Sequence, residues 1–341
     1  MLCEITNMLH PQQSTDACLR ALLHILKEDM EGSVVGKAAE SIQNIIQLLG
    51  CSVLLPNGNH SMLEELLGAL YSILSGNAPC CMYETALEDY QDEDEGGLDD
   101  KSDHQSYLVS VCDLIGALCS VLGDNMGQFL PQFLPEICKF GKPSRSSTNR
   151  AMTMGLLGEV CEHLTVTSLA QHLEAVFYPA IIAGLGDEDM NVKRNAAYLC
   201  GRACESFQSN IASNYMGLLG ALSPLFSIQN EDDSDAVVDN AAAAVARMIT
   251  VNSSAVPLAQ VLPVFVAALP LKEDMTENPT VYNCLLKLLE ENNSDIIALK
   301  GEVMRAFQGV AKQCQEAGDS ADMFIQDELK QKIASAIQQL Q

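Results

Sequence analysis

The residues best suited by type to do chemistry are acidic. Between Gly76 and Asp103 stand Glu84, Glu88, Asp89, Asp92, Glu93, Asp94, Glu95, Asp99, Asp100 and Asp103, against the single base Lys101. So dense a set of carboxylates can hold a hard cation or a basic polypeptide. The regular spacing of a cation loop is absent. What remains is charge attraction, a mobile polyanion that meets a lysine-rich segment, or else a solvated spacer. Glu88, Asp89, Asp92, Glu93, Asp94, Glu95, Asp99 and Asp100 are the candidate residues for contact with a basic cargo. Glu159, Glu162, Glu205 and Asp239, on predicted helices, are weaker candidates, since such acids more often line a solvated face.

Nucleophiles and metal ligands form no constellation. His10, His24, His60, His104, His163 and His172 have no metal-ligand spacing. Cys161-x-His163 and Cys200-x-x-x-Cys204 come nearest; the second pair shares a helical face and reads as buried structural thiols. Cys80-Cys81 borders the acidic stretch, where adjacent cysteines seldom bridge and a plain loop is expected. No phosphate-binding glycine loop and no Gly-x-Ser-x-Gly elbow occur. The sequence therefore predicts no catalytic residue, no metal and no cofactor, and not an enzyme.

Composition narrows the partners. The 341 residues carry 45 Asp and Glu against 19 Lys and Arg, a net charge of −26, while 48% are hydrophobic. Direct nucleic-acid binding needs basic clusters that are absent. A basic partner is the complement, drawn in by long-range steering. No run of 18 or more uncharged apolar residues predicts membrane insertion, and the first residues lack the basic n-region of a secretory signal. Thirteen cysteines without framework spacing point to free thiols in a reducing compartment.

The elements that must position these residues are helical pairs. In Asp187-Glu188-Asp189-Met190-Asn191-Val192 an acidic turn opens a helix whose Val192, Ala196, Leu199, Ala203 and Phe207 fall on one face. The turn follows another helix ending near Leu185. The same unit recurs: 14–28 with 33–50, 61–74 with 105–123, 127–140 with 146–164, 169–185 with 190–207, 211–228 with 235–251, 258–269 with 279–291, and 295–314 with 322–340. The apolar residues of 1–10 read as the end of a helix without a partner, so the chain is expected to begin inside a repeat, as a piece of a longer protein. Residues 76–103 form an acidic inter-helix insertion in the second pair.

Asn149, Asn195, Asn240 and Asn283 recur at spacings of 46, 45 and 43 near the start of the second helices, and Pro135, Pro179, Pro224 and Pro263 recur inside the first. These periods are those of HEAT and armadillo arrays, and two helices per unit favour HEAT. The predicted fold is all-α, an α-solenoid (right-handed superhelix) of about seven HEAT repeats over 1–341, with 76–103 as a loop within it. The prolines are expected to kink the first helices. The four asparagines are expected to form a hydrogen-bonded structural ladder.

Three segments resemble a known family. Val261-Leu262-Pro263 followed by Ala268-Leu269-Pro270-Leu271-Lys272-Glu273-Asp274 is similar to the C-terminal arch of the karyopherin-β (importin-β superfamily) transport receptors, of the importin-4 type. Asp239-Asn240-Ala241-Ala242-Ala243-Ala244-Val245-Ala246-Arg247 and Asn191-Val192-Lys193-Arg194-Asn195-Ala196 resemble earlier repeats of that arch. The resemblance covers the last two-thirds of the chain best. It implies a soluble nuclear import receptor that moves between cytoplasm and nucleus through the nuclear pore in the envelope. Such a receptor carries basic cargo, histones and ribosomal proteins, on a concave surface. It makes weak contacts with Phe-Gly nucleoporins and releases cargo to GTP-bound Ran. The family's main Ran site lies in an N-terminal arch that this sequence does not match. The rival reading is a HEAT scaffold or regulatory subunit that bridges other proteins without a transport cycle.

Overall fold

A computed structural model describes residues 11–55, 58–82, 106–228, 233–317 and 325–340. Every regular element among them is helical. The chain divides into two compact units, Met1–Leu164 and Thr165–Gln341.

The first unit holds α1 (Pro11–Glu28), α2 (Gly32–Leu49), α3 (Ser61–Leu74), α4 (Ser106–Leu122), α5 (Leu130–Phe140) and α6 (Ser147–His163). They form three hairpins. First helices stack on first helices, α1 on α3 and α3 on α5; second helices stack on second helices, α2 on α4 and α4 on α6. α4 therefore has neighbours on both sides. Its Val111, Leu114, Ile115, Leu118 and Cys119 are buried, each large aliphatic side chain contributing about 1.5–3 kcal/mol on removal from water. That sandwiching explains why Tyr107–Phe140, the one described helical run long and apolar enough by composition to cross a membrane, is mostly buried within the protein.

The second unit holds α7 (Tyr178–Leu185), α8 (Met190–Phe207), α9 (Tyr215–Leu222), α10 (Ser234–Asn252), α11 (Leu258–Ala267), α12 (Asn278–Glu290), α13 (Lys300–Ala317) and α14 (Asp327–Leu340). α7 and α8 form one hairpin, α13 and α14 another, and α8, α10, α12 and α14 stack in sequence. α8 begins where the acidic turn predicts: the Asp189 carboxylate accepts from the N–H groups of Asn191 (2.9 Å) and Val192 (3.1 Å), satisfying two of the orphan donors of a helix start. α8 and α10 pack most extensively. They approach closely because Gly201 lacks a side chain; a Cβ there would stand 3.1 Å from the Cα of Ala244 and 3.0 Å from Cδ of Arg247.

Among the described residues, each of the seven predicted pairs falls on helical segments. The first helices are more broken than the periodicity suggests. The stretch predicted as one helix up to Leu185 is a short helix Val166–Leu169, a 3-10 turn, a π turn Leu173–Phe177 and then α7. Residues predicted as 211–228 are a 3-10 segment Gln208–Asn214, then α9, then a second 3-10 segment Ser223–Ser227. Prolines account for part of this. Pro135 and Pro263 lie inside α5 and α11, but Pro179 sits in the first turn of α7 and Pro224 opens a 3-10 segment. At those two places the missing N–H is accommodated at an element start instead of inside a bent helix.

Candidate functional site

Two motifs from the sequence converge in the second unit. Asp239 on α10 is buried, and its Oδ2 accepts from the backbone N–H groups of Lys272 (2.9 Å), Glu273 (2.7 Å) and Asp274 (2.9 Å). One carboxylate thus clamps the loop that follows α11. Burial pushes the Asp239 carboxyl above the ordinary carboxylate range, against the downward pull of the three donors. The neighbouring Asn240 donates to the carbonyl of Ala236 (3.0 Å) and to Asp274 (3.1 Å). The Asp-Asn segment and the Leu-Lys-Glu-Asp segment are therefore two halves of one contact.

The clamp aims side chains. Glu273 and Asp274 line a cleft of about 460 Å³ with Asp233, Asp235, Ser234 and Arg194. Four acidic residues and one arginine therefore line it; the Asp274 carboxylate also accepts from Asn240 and Thr276, and Lys272 pairs with Asp235 at the surface (2.7 Å). A second, partly buried ionic seam lies further along α10. Arg247, 3% exposed, pairs with Glu277 (2.8 Å) and Glu205 (3.1 Å), and Glu205 also accepts from Arg202 (3.1 Å). α8, α10 and the turn before α12 are thereby stitched by charge.

The other predicted residues fall elsewhere. Glu88, Asp89, Asp92, Glu93, Asp94, Glu95, Asp99 and Asp100 lie outside the described residues. Of the weaker acids, Asp239 faces the loop and Glu205 its arginines, so both are engaged within the protein. Glu159, Glu162 and His163 on α6 bring one ligand atom each within 4.8 Å of one another, the one such group among the described residues. His163 and Glu159 pair at 3.4 Å, and burial, then the Glu162 charge, raises the Glu159 carboxyl. Of the asparagines, Asn149 and Asn240 are buried, Asn195 is half-buried and Asn283 is exposed; the buried asparagine of α12 is Asn278. Cys161, Cys200 and Cys204 are buried on apolar faces. The cleft acids Asp233, Asp235, Glu273 and Asp274 were not singled out by spacing. A signal that could have found them is Asp239, a carboxylate beside the alanine run Ala241 to Ala244.

No family model matches the chain. Its folded class is that of HEAT-repeat helical arrays: crystal structures of Kap121p bound to Ste12p and to Ulp1p match with TM-scores of 0.67 and 0.68 at 16% identity over 94% of this chain, which is 27% and 28% of theirs. In sequence it is similar to the probable importin subunit beta-4 of Schizosaccharomyces pombe, 29% identical over 74% of this chain and 23% of that protein. It is also similar to the importin-4 of Homo sapiens, 27% identical over 86% of this chain and 27% of that protein. The likeness is thus to importins in sequence and to karyopherin crystal structures in fold. The chain spans about a quarter of the length of these relatives.

Proposed function

We propose that this chain serves in a nuclear transport receptor and binds lysine- and arginine-rich cargo on acid-lined surfaces, without catalysing a reaction. The observation that carries the reading is the cleft of Asp233, Asp235, Glu273 and Asp274, whose loop the Asp239 carboxylate binds through three backbone N–H groups. It lies on a chain with net charge −26. Opposed charge steers a basic ligand and fixes its register. Histones and ribosomal proteins are cargo of this chemistry. The acidic stretch from Glu88 to Asp100 adds further negative charge for the same ligand. In this reading the protein works in cytoplasm and nucleus and at the pore.

An apolar groove between α9 and α11, about 260 Å³ and lined by Met216, Leu219, Phe226, Val261 and Val264, suits the phenyl rings of Phe-Gly nucleoporins. Met216 and Val264 are 64% and 45% exposed on it. GTP-bound Ran regulates cargo release in the same proposal; Kap121p has been crystallised with RanGTP.

The test is titration of a labelled lysine-rich peptide, read by fluorescence anisotropy as salt is raised. A receptor of this kind binds the peptide, weakens steeply with salt and ignores an acidic peptide of equal length. Equal binding of both peptides, or of neither, favours a scaffold that bridges other proteins.

A further inference from the structure

Pro79–Met82 is helical and not the plain loop expected, and the turn brings the adjacent Cys80 and Cys81 sulfurs to 3.9 Å. Cys80 is wholly buried and Cys81 half-buried. The Cys81 sulfur also stands 3.4 Å from the hydroxyl of Tyr107 on α4 and 3.5 Å from the carbonyl oxygen of Ile73 on α3. One thiol of the pair is only half-buried, a second is in reach of it, and a hydroxyl is placed to donate to a sulfur anion.

We propose that Cys80 and Cys81 form an oxidation-sensitive dithiol, with Cys81 the thiolate that attacks peroxide and Cys80 the thiol that resolves the product. In the first step the Cys81 thiolate sulfur attacks one peroxide oxygen and the O–O bond breaks. Hydroxide leaves and takes a proton as water, and Cys81 becomes a sulfenic acid. In the second step the Cys80 sulfur attacks the Cys81 sulfur, the S–O bond breaks, and a second water carries away the oxygen with the Cys80 proton. Two thiols and one peroxide give one disulfide and two waters. A bridge between sequence neighbours is strained, so a small dithiol returns it readily to the reduced form.

The surroundings make Cys81 selective. Hydrogen bonding from Cys80, and then from Tyr107, brings its thiol down to about 6 despite burial. Burial pushes Cys119 and Cys284 up to about 12 and raises Cys112, Cys138 and Cys161 as well.

The experiment treats the native chain with less than one equivalent of hydrogen peroxide and maps the thiols by mass spectrometry. The expected product is a peptide containing Cys80 and Cys81 that is two hydrogens lighter and is restored by dithiothreitol. In Cys80→Ser, dimedone should trap Cys81 as the sulfenic acid; in Cys81→Ser, Cys80 should stay reduced. A folding-independent check uses the wild-type chain alone. Its iodoacetamide rate at Cys81 should level off above about pH 7, whereas that of N-acetylcysteine in the same tube keeps rising beyond about pH 8, as for an unperturbed thiol. Oxidation that begins at other thiols, dimedone capture of Cys81 in the wild type equal to that in Cys80→Ser, or a Cys81 rate that climbs in parallel with N-acetylcysteine would overturn the proposal.

Discussion

α4 and α10 hold the same place in their respective units, each a second helix packed between two other second helices, yet they are held in opposite ways. α4 buries large aliphatic side chains, Val111, Leu114, Ile115 and Leu118, and no charge. α10 buries an alanine run, Ala241 to Ala244 and Ala246, together with Asp239, Asn240 and Arg247. Small residues let α8 and α10 approach, as at Gly201, and leave little apolar area per contact. The polar groups then fix position: Asp239 on the loop after α11, Arg247 on Glu277 and Glu205. Aliphatic packing tolerates substitution of like volume. A charge-stitched contact fixes which loop lies where, and the acid cleft depends on that placement.

The contrast can be broken from either side. Arg247→Met leaves Glu277 buried without its cation and should cost about 3–5 kcal/mol in denaturant unfolding, with Arg247→Met/Glu277→Leu recovering most of the loss. If the single variant is nearly neutral, the seam does not fix α10. Leu118→Ala in α4 should cost about 3 kcal/mol through lost burial and the cavity left behind. No paired change of charge should rescue it, whereas a larger residue at a facing position should. The smallest effect belongs to Glu159. Its carboxyl is raised in the fold, so ionisation costs folding energy that is absent at low pH and grows as pH rises through the folded value. Glu159→Gln should therefore stabilise the first unit near neutral pH, by less than about 0.5 kcal/mol because the group is partly exposed and loses its His163 pairing, and the gain should vanish in acid. A gain that grows on acidification would reverse the assigned sign.

Most of the fold was legible because both signals, helical periodicity and a repeat near 45 residues, are carried by many positions at once. Val192, Ala196, Leu199, Ala203 and Phe207 are all buried as their spacing requires. The breaks in the first helices were not legible, since a proline at the first turn of a helix and one in its interior look alike until the preceding N–H groups are placed. The site was legible only in part. Asp239 reads as a weaker candidate of the kind that lines a solvated face, and Asn240 as a step of the asparagine ladder; whether a carboxylate faces solvent or three backbone N–H groups depends on a loop more than 30 residues away. Glu273 and Asp274 became cleft residues only once that loop was folded back onto α10.

The most direct measurement compares the wild-type chain with Asp233→Lys/Asp235→Lys/Glu273→Lys for binding of a lysine-rich peptide at one moderate salt concentration, with circular dichroism confirming that both are folded. Three reversed charges at the cleft should weaken binding by at least about tenfold, corresponding to about 1.4 kcal/mol, and should flatten its salt dependence. An unchanged affinity and salt slope in a folded variant would contradict the assignment of this cleft as a surface for basic cargo.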